Sequence, residues 1–436
     1  VNILVIGAGY AGVVTAAGLA ELGHTVVNLD RDPGRIAVLR SGGSPVFEPG
    51  LDGLLARTTA AGRLSFIDSY DDVELAADSV VFIVVGTPAR SDGHVDLSQV
   101  DDCIEALAPH LTDGVTVVIK STVPVGTARQ VMSRLRHVRA DASVSVASNP
   151  EFLRQGAAVD DFLDPDRIVV GTQDDATAEV LRRVYRPLLA QGVAAVFSTL
   201  ESAELIKYAS NAFLATKLSF INEIADLCEA SGGLVEDVAR GIGLDPRIGP
   251  SFLRAGPGFG GSCLPKDTQA LLHTSTSYGT GSHIVRAALE VNHTRIQQMA
   301  DRILEAAGKH QPNVGMLGIT FKADTDDIRE SPAVAIAREL VRRGVRVRLF
   351  DPQGLDRAAT ELGDGVEYAP DEYSAAAGAD VVVIATEWKQ FGALSLKRLA
   401  GVMAAPVLVD LRNMWDPAAV TAAGLRYVSI GRQKQL

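Results

Sequence analysis

Residues 257–267 read PGFGGSCLPKD. Glycines at 258, 260 and 261 leave Cys263 little side-chain cover, and Pro265 is placed to be the first residue of a helix, PKDTQALLH. The thiol is then expected to face a helix N-terminus, whose partial positive charge and free amides favour thiolate and stabilise an adjacent oxyanion. Lys266 adds positive charge. Cys263 therefore reads as a nucleophile, whereas Cys103 in DDCIEALAP and Cys228 in IADLCEA sit at helical positions that suit small buried hydrophobes. Asp267, one turn on, either orients a lysine or a water or complements the helix dipole, and spacing alone does not separate the two.

A second set of residues binds rather than reacts. Gly7, Gly9 and Gly12 form GxGxxG between an apolar run and a helical stretch, so bare amides at a helix N-terminus can approach a pyrophosphate. Asp30 ends the next apolar run, where a carboxylate can hold both hydroxyls of an adenosine ribose and disfavour a 2′-phosphate. NAD is the expected cofactor; Arg31 and Arg35 weaken the discrimination against NADP, and FAD is the rival that the fingerprint alone admits. Lys207 and Asn211, four apart in a long helical stretch, share a face that continues into Leu214 and Leu218. A face heading into the core points the ammonium at a cleft, where it can stabilise a developing alkoxide. A nicotinamide site joined to a thiol nucleophile implies a sequence of steps: alcohol to aldehyde, capture as a thiohemiacetal, a second hydride loss to a thioester, and hydrolysis to an acid.

These residues need a scaffold, and the apolar runs supply it. VNILVI, TVVNLD, VVFIVVGTP, TVVIKSTVP, SVSVASNP and RIVVGT alternate with helical segments to about residue 190, the pattern of a parallel doubly wound sheet. Ligands of such sheets sit beyond the carboxyl ends of the strands. Residues 200–231 read as one helix of roughly 45 Å. NVGMLGITFK, VRVRLFDP, DVVVIATEW and PVLVDLRN then form a second set of strands. The expected fold is α/β, with two Rossmann-like doubly wound parallel-sheet domains joined by a long central helix and a helical region, divided at 1–195, 196–305 and 306–436.

Composition narrows the partners. The chain has 436 residues and a formal net charge of −12 with no dense Lys/Arg run, which argues against nucleic acid or an anionic membrane surface. No apolar run approaches the roughly 18 residues that span a bilayer. The first residues enter a strand without a secretory signal, so a cytoplasmic protein with reduced thiols is expected. Three cysteines without CxxC spacing and eight scattered histidines without HExxH give no metal site.

Taken in order, GAGYAG, SPVFEPGL, VGTP, KSTVPVGT, NPEFLRQGAAVDDFLDPDRIVVG, ELIKYASNAFLATKLSFINEIADLC, GFGGSCLPKDT, FKADTDDIRESPA and TEW make the chain resemble the nucleotide-sugar 6-dehydrogenases of the UDP-glucose/GDP-mannose dehydrogenase family over nearly its whole length. The resemblance implies NAD-dependent oxidation of the C6 hydroxyl of UDP-glucose to the uronate, with GDP-mannose or a UDP-N-acetyl-hexosamine as sister substrates. It also implies a homodimer or larger homo-oligomer built on the central region. It matches Cys263 to the family's nucleophile, and Lys207, Asn211 and Asp267 to the groups that hold the oxyanion and the water. Thr122 and Glu151 match residues of water positioning and proton transfer, roles that spacing did not reveal. Along the nucleotide-sugar it sets Glu151, Phe152, Leu153, Lys207, Asn211, Phe252, Phe259 and Gly260, with Lys322 and Arg412 from the C-terminal domain and Arg247 crossing to a partner subunit's site. At the cofactor it adds Arg35, Thr87, Thr122 and Arg329 to Gly7, Gly9, Gly12 and Asp30.

One departure stands out. The family often reads NPEFLxEG, and here Gln155 stands where the second glutamate would be; an amide hydrogen-bonds but cannot act as a base. If residues 151–155 begin a helix, Glu151 and Gln155 face one cleft. Two other readings are separable: a one-step hydroxyacid dehydrogenase needs no thiol, and a binding protein that has lost the chemistry would lack Cys263 or Lys207.

Overall fold

A strand covered on both faces needs apolar residues at nearly every position, and β1 (Asn2–Ile6), β4 (Val80–Ile83) and β5 (Thr116–Ile119) have them. In the computed structural model, which describes residues 1–90, 93–140 and 142–433, alternate side chains of these strands enter separate clusters. Ile3, Val5, Phe82 and Val118 pack on one face, and Leu4, Ile6, Val81, Ile83, Val117 and Ile119 on the other. Each such burial stabilises the fold by about 1.5–3 kcal/mol.

The chain divides into two units, Val1–Ser210 and Asn211–Leu436. In the first, β2 (Thr25–Leu29), β3 (Leu64–Ile67), β6 (Ser145–Ser148), β7 (Arg167–Gly171) and β8 (Ala194–Ser198) complete an eight-stranded sheet of order β3-β2-β1-β4-β5-β6-β7-β8. The first six strands run parallel, Ile3 standing beside Val26 on one side and Val80 on the other. The expected parallel sheet needs one correction. β7 meets β6 antiparallel at Ser148 and Gly171, and β8 then runs parallel to β7. The connection between β6 and β7 holds only the short helix Ala158–Leu163. It returns at the sheet edge it left, whereas a parallel neighbour requires a crossover to the opposite end. Glu151, Phe152 and Leu153 lie on this connection and so stay at the carboxyl end of the sheet.

The second unit repeats the Rossmann order. β9 (Asn313–Leu317), β10 (Arg346–Phe350), β11 (Glu367–Tyr368), β12 (Val381–Ile384), β13 (Val407–Asp410) and β14 (Arg426–Ser429) form a six-stranded parallel sheet, β11-β10-β9-β12-β13-β14. Its faces are likewise split: Met316, Val347, Val383 and Val409 pack on one side, Leu317, Phe350, Ile384 and Leu408 on the other. The long helix Leu200–Ser231 has the expected bounds and runs through the division at Ser210. Three further helices follow before β9: Val235–Gly243, Leu264–Ser277 and His283–Ala307. The helix beyond the thiol begins one residue earlier than expected, at Leu264, with Cys263 as its N-cap and Pro265 in its first turn.

Candidate active site

In the first unit the three fingerprint glycines have three separate reasons. Gly7 has φ +106°, and a Cβ there would lie 2.3 Å from the Val84 carbonyl oxygen. A Cβ on Gly12 would meet the Gly7 carbonyl oxygen at 2.1 Å, so that glycine sets how closely the helix Tyr10–Glu21 packs on the β1 turn. Gly9, the N-cap of that helix, faces open space with nothing within 4 Å of a built Cβ. An open, bare helix N-terminus fits a pyrophosphate. Beside it, a cavity of about 320 Å³ is bordered by Gly9, Asp30, Arg35, Tyr70 and Val85. The Asp30 carboxylate accepts from Ala8 N at 2.6 Å, Asp32 N at 3.0 Å and Arg35 Nη1 at 3.0 Å. Arg35 is thus tied to the Asp30 carboxylate, and Arg31 is drawn away to Asp102. These residues fit NAD. The loops after β4 and β5 are fastened to each other, Thr87 Oγ1 donating to the Thr122 carbonyl at 2.7 Å and Ser121 Oγ to the Val85 carbonyl at 2.7 Å.

The loop after β6 holds Glu151 against the long helix. Lys207, 4% exposed, donates to the Glu151 carbonyl at 2.7 Å and to its carboxylate at 3.2 Å. The same carboxylate accepts from Leu153 N at 2.6 Å. Burial alone would push the Glu151 carboxyl up, but the Lys207 charge, the Leu153 amide and the Lys120 charge outweigh it and hold the group below the usual range. The Phe152 ring lies under Arg167, 3.9 Å from ring centre to guanidinium, with Lys207 5.2 Å away. Residues 151–157 are irregular, and the next helix starts only at Ala158. The expectation that Glu151 and Gln155 begin a helix is therefore corrected: the Glu151 side chain turns back on its own loop, and a four-residue helical spacing does not apply. The anchor of this loop is Glu48, which accepts from Gly156 N and Ala158 N, each at 2.7 Å, and from the Tyr10 hydroxyl. SPVFEPGL had marked the segment without revealing that task.

In the second unit the thiol loop answers to tertiary contacts. A Cβ on Gly260 would lie 2.2 Å from the Glu330 carbonyl oxygen, and one on Gly261, whose φ is +84°, 2.8 Å from the Phe321 ring. Gly261 N donates to the Arg329 carbonyl at 3.0 Å. The glycines thus let the loop lie flat on residues 321–330, and Cys263 stands exposed at its end. Asp267, 1% exposed, accepts from Lys266 Nζ and Asn211 Nδ2, both at 2.6 Å, and does so from the first turn of the helix, so it holds a lysine and also stands where a carboxylate complements the helix dipole. Arg329 is pinned by Asp327, whose hydrogen bonds raise the guanidinium pKa above its usual value; burial opposes this, and the Cys263 sulfur acts with Asp327. Arg329, paired with Asp327 and with its side chain 60% exposed, is thus a cation that acts electrostatically on the thiol. Arg412 donates to the Ala385 carbonyl at 2.9 Å and the Phe321 carbonyl at 3.2 Å, and Lys322 stands 5.7 Å from the Phe321 ring centre. Phe259 is buried, and Phe252 has φ +63°, a conformation a bulky side chain resists. Arg247 projects outward, its side chain 87% exposed and paired with Asp245. Sequence spacing gave no sign of Asn222, Asn292 and Arg295, which hold the backbone of residues 256–259. Among the described residues no group of three His, Cys, Asp or Glu side chains is arranged to hold a metal ion, and no helix is long and apolar enough to cross a membrane.

Comparison with known proteins agrees with this layout. Sequence profiles of the UDP-glucose/GDP-mannose dehydrogenase family match in order: the NAD binding domain at residues 1–189, the central domain at 201–294 and the UDP binding domain at 315–417. A UDP-glucose 6-dehydrogenase of Rhizobium meliloti is 50% identical over 436 residues, covering 99% of each chain. Among solved structures, a UDP-glucose dehydrogenase from Pyrobaculum islandicum superposes with a TM-score of 0.90 at 39% identity, covering 98% of this chain and 96% of its own. A UDP-D-ManNAc dehydrogenase from Pyrococcus horikoshii reaches 0.88 at 27% identity over all of both chains. With three profiles in sequence and a full-length relative at half identity, the chain belongs to the UDP-glucose/GDP-mannose dehydrogenase family and is an NAD-dependent oxidoreductase.

Proposed function

We propose that this chain oxidises the C6 hydroxyl of UDP-glucose in two steps to the carboxylate of UDP-glucuronate, with Cys263 as the covalent carrier. The observation that carries the reading is the thiol itself, exposed at a helix N-cap on a glycine loop with Arg329 in electrostatic reach. Each of the two hydrides that leave C6 would pass to a bound NAD, a second NAD replacing the first NADH between the steps. The C6 hydroxyl gives up its proton through water to solvent, and Lys207 and Asn211 stabilise the alkoxide and then the oxyanion of each tetrahedral stage. The Cys263 thiolate adds to the aldehyde carbon, forming a C–S bond, and hydride loss from that thiohemiacetal leaves a thioester. Water held by Thr122 and Asp267 attacks the thioester carbon while Glu151 takes its proton; the C–S bond then breaks and the thiolate is restored. A Glu151 carboxyl held below the usual range supports a base that is ionised at neutral pH.

Gly7, Gly9, Gly12, Asp30, Arg35, Thr87, Thr122 and Arg329 serve the cofactor in this reading. Phe152, Leu153, Phe252, Phe259, Gly260, Lys322 and Arg412 serve the nucleotide-sugar, and Arg247 reaches the site of a second copy. Functionally the chain divides into an NAD-binding part (1–195), a central part (196–305) and a nucleotide-sugar part (306–436). A second copy is supported by Phe213, Phe220 and Leu227, seven residues apart along the long helix and 65%, 49% and 61% exposed, the repeat of a helix-pairing seam. NAD and a thiol that must stay reduced suit the cytoplasm.

The test is stoichiometry. With UDP-glucose as sole substrate the enzyme is expected to form two NADH per sugar, and Cys263→Ala to form no acid while still binding both ligands. One NADH per sugar, or normal acid formation by the variant, overturns the proposal. The Pyrococcus horikoshii structure gives a sister N-acetyl-hexosamine activity as the second reading, and a panel of nucleotide-sugars under the same assay decides between them.

A further inference from the structure

Cys263 sits at the end of an irregular segment, residues 253–263, that is itself neither helix nor strand. Side chains hold it instead. Gly256 N donates to Asn222 Oδ1 at 2.9 Å, and Arg295 Nε donates to the Gly256 carbonyl at 2.6 Å. Asn292 makes a different kind of contact: its Oδ1 accepts from Phe259 N at 2.7 Å, and its Nδ2 donates to the Phe259 carbonyl at 3.0 Å. One carboxamide thus pairs both backbone groups of a single residue, as a neighbouring strand would. Phe259 is 4% exposed, so without that partner its amide and carbonyl are left buried and unpaired. The neighbour at 258 is fitted to the same contact. Gly258 has φ +128°, and a Cβ there would lie 2.7 Å from Asn292 Oδ1. Asn292 comes from the helix His283–Ala307, whose Met299, Ala300 and Ile303 are buried in the core of the second unit. The loop is therefore referenced to a rigid element.

We propose that Asn292 is a positioning residue for Cys263: by gripping both backbone groups of Phe259, four residues before the thiol, it fixes where the nucleophile stands. The proposal rests on Cys263 being the nucleophile. It gives GFGG a second meaning, since one glycine exists to admit the clamp and the next two to admit residues 321–330. A thiol displaced by about 1 Å is expected to lose on the order of 10²-fold in rate, because attack needs a near-attack distance. Substrate and cofactor binding should change much less.

The experiment uses the full chain with three readouts: kcat with UDP-glucose, the KM for each ligand, and the rate at which iodoacetamide alkylates Cys263 in protein without ligands. Cys263→Ala serves as the blank for alkylation, since Cys103 and Cys228 are buried. Asn292→Ala is expected to lower kcat by about 10- to 100-fold, leave the KM for NAD within about threefold, and change the alkylation rate by at least about threefold. Asn292→Asp keeps the acceptor for Phe259 N and loses the donor, so it should fall between Ala and the parent in kcat and alkylation. It also remains informative if Asn292→Ala does not fold. A kcat within about twofold of the parent in either folded variant overturns the proposal, as does lost kcat with an unchanged alkylation rate. If Cys263→Ala still turns over, the nucleophile reading fails, while alkylation of the unliganded protein still reports whether Asn292 holds the loop.

Discussion

Asp30 follows β2 and Asp351 follows β10, the second strand of each Rossmann order. Each takes a backbone amide two residues past the first strand, Ala8 N at 2.6 Å and Ile319 N at 2.7 Å, and in each case a glycine at positive φ intervenes, Gly7 at +106° and Gly318 at +95°. Beyond that the two diverge. Asp351 is 1% exposed and also accepts from Thr320 N, the Thr320 hydroxyl, Trp388 Nε1, Gln353 N and Gly354 N. Asp30 has three partners among the described residues and borders an open cavity, and one of those partners, Arg35, is more than a third exposed. After β1 a helix starts at once behind Gly9, but after β9 residues 318–331 form a loop that carries Phe321, Lys322 and Arg329 before the helix Pro332–Arg342. The fold therefore decides where a carboxylate and a glycine stand. Whether they become a ligand site depends on how many internal donors the surrounding side chains bring.

The largest expected effect breaks this comparison if it fails. Asp351→Ala strands several buried donors and should destabilise the protein by on the order of 3–5 kcal/mol, lowering the melting temperature by roughly 10 °C. Asp30→Ala should shift the melting point by a few degrees at most, raise the KM for NAD by about tenfold or more, and narrow the gap to NADP. Thermal melts and cofactor kinetics on both variants check this. If Asp30→Ala melts as low as Asp351→Ala with an unchanged cofactor preference, Asp30 is only a strand-end residue.

What sequence could disclose follows the same division between local and assembled features. The ten strands read from apolar runs include every interior strand of both sheets; β3, β8, β11 and β14 went unread, and they are the four edges. An edge strand is covered on fewer sides, so EY at β11 and RYVS at β14 need no continuous apolar run, and AAVFS at β8, apolar as it is, stays partly exposed. Cys263, Asp30 and Lys207 were legible because their signals are local: glycines and a proline around a thiol, a carboxylate at a strand end, a polar pair on an apolar helix face. Glu48, Lys120 and Asn292 act on residues 108, 29 and 33 positions away in the chain. No local pattern carries such a pairing, and the reversed direction of β7 and β8 is equally a matter of where the chain returns.

A second contrast lies on the fifth strand of each order. β13 ends in Asp410, fully buried and paired with Arg412 N, Met414 N and the Tyr427 hydroxyl. β5 is followed by Lys120, 5% exposed, whose hydrogen bond among the described residues is to Asn149 Oδ1 at 3.1 Å. Burial brings the Lys120 ammonium down to about 8, Glu151 pulling it up and Lys207 pushing it further down. Below pH 8 both folded and unfolded chains carry the proton, and the native state bears the full cost of burying the charge. From pH 8 to about 10.5 the native state has shed a proton that the unfolded chain keeps, so stability rises with pH. Lys120→Met should accordingly be as stable as the parent at pH 7, or more stable by about 1–3 kcal/mol, and that advantage should shrink towards pH 10. Denaturant unfolding at the two pH values measures it. A variant less stable at pH 7 would mean that the lysine's contacts outweigh the cost of burying its charge.

The smallest effect is expected where the first sheet's carboxyl edge receives a second acid. In a helix, Glu151 and Gln155 would share a face, and a glutamate at 155 would repel the first and raise its pKa. The chain from 151 to 157 is irregular, however, and the Glu151 carboxylate is already held by Lys207 and the Leu153 amide. A new charge at 155 therefore competes with fixed partners instead of meeting a mobile carboxylate. Gln155→Glu should change kcat by less than about tenfold, or about 1.4 kcal/mol, whereas Glu151→Gln should slow turnover by about 10² or more, the size of a lost acid-base group. Steady-state rates of the two variants, with thioester accumulation followed by mass spectrometry, separate the outcomes. Equal losses would mean that residue 155 reaches the same water as Glu151. A Gln155→Glu enzyme far faster than the parent would mean that this edge lacks a carboxylate its chemistry can use, and the open site of the first sheet would then be incomplete rather than merely less saturated than the second.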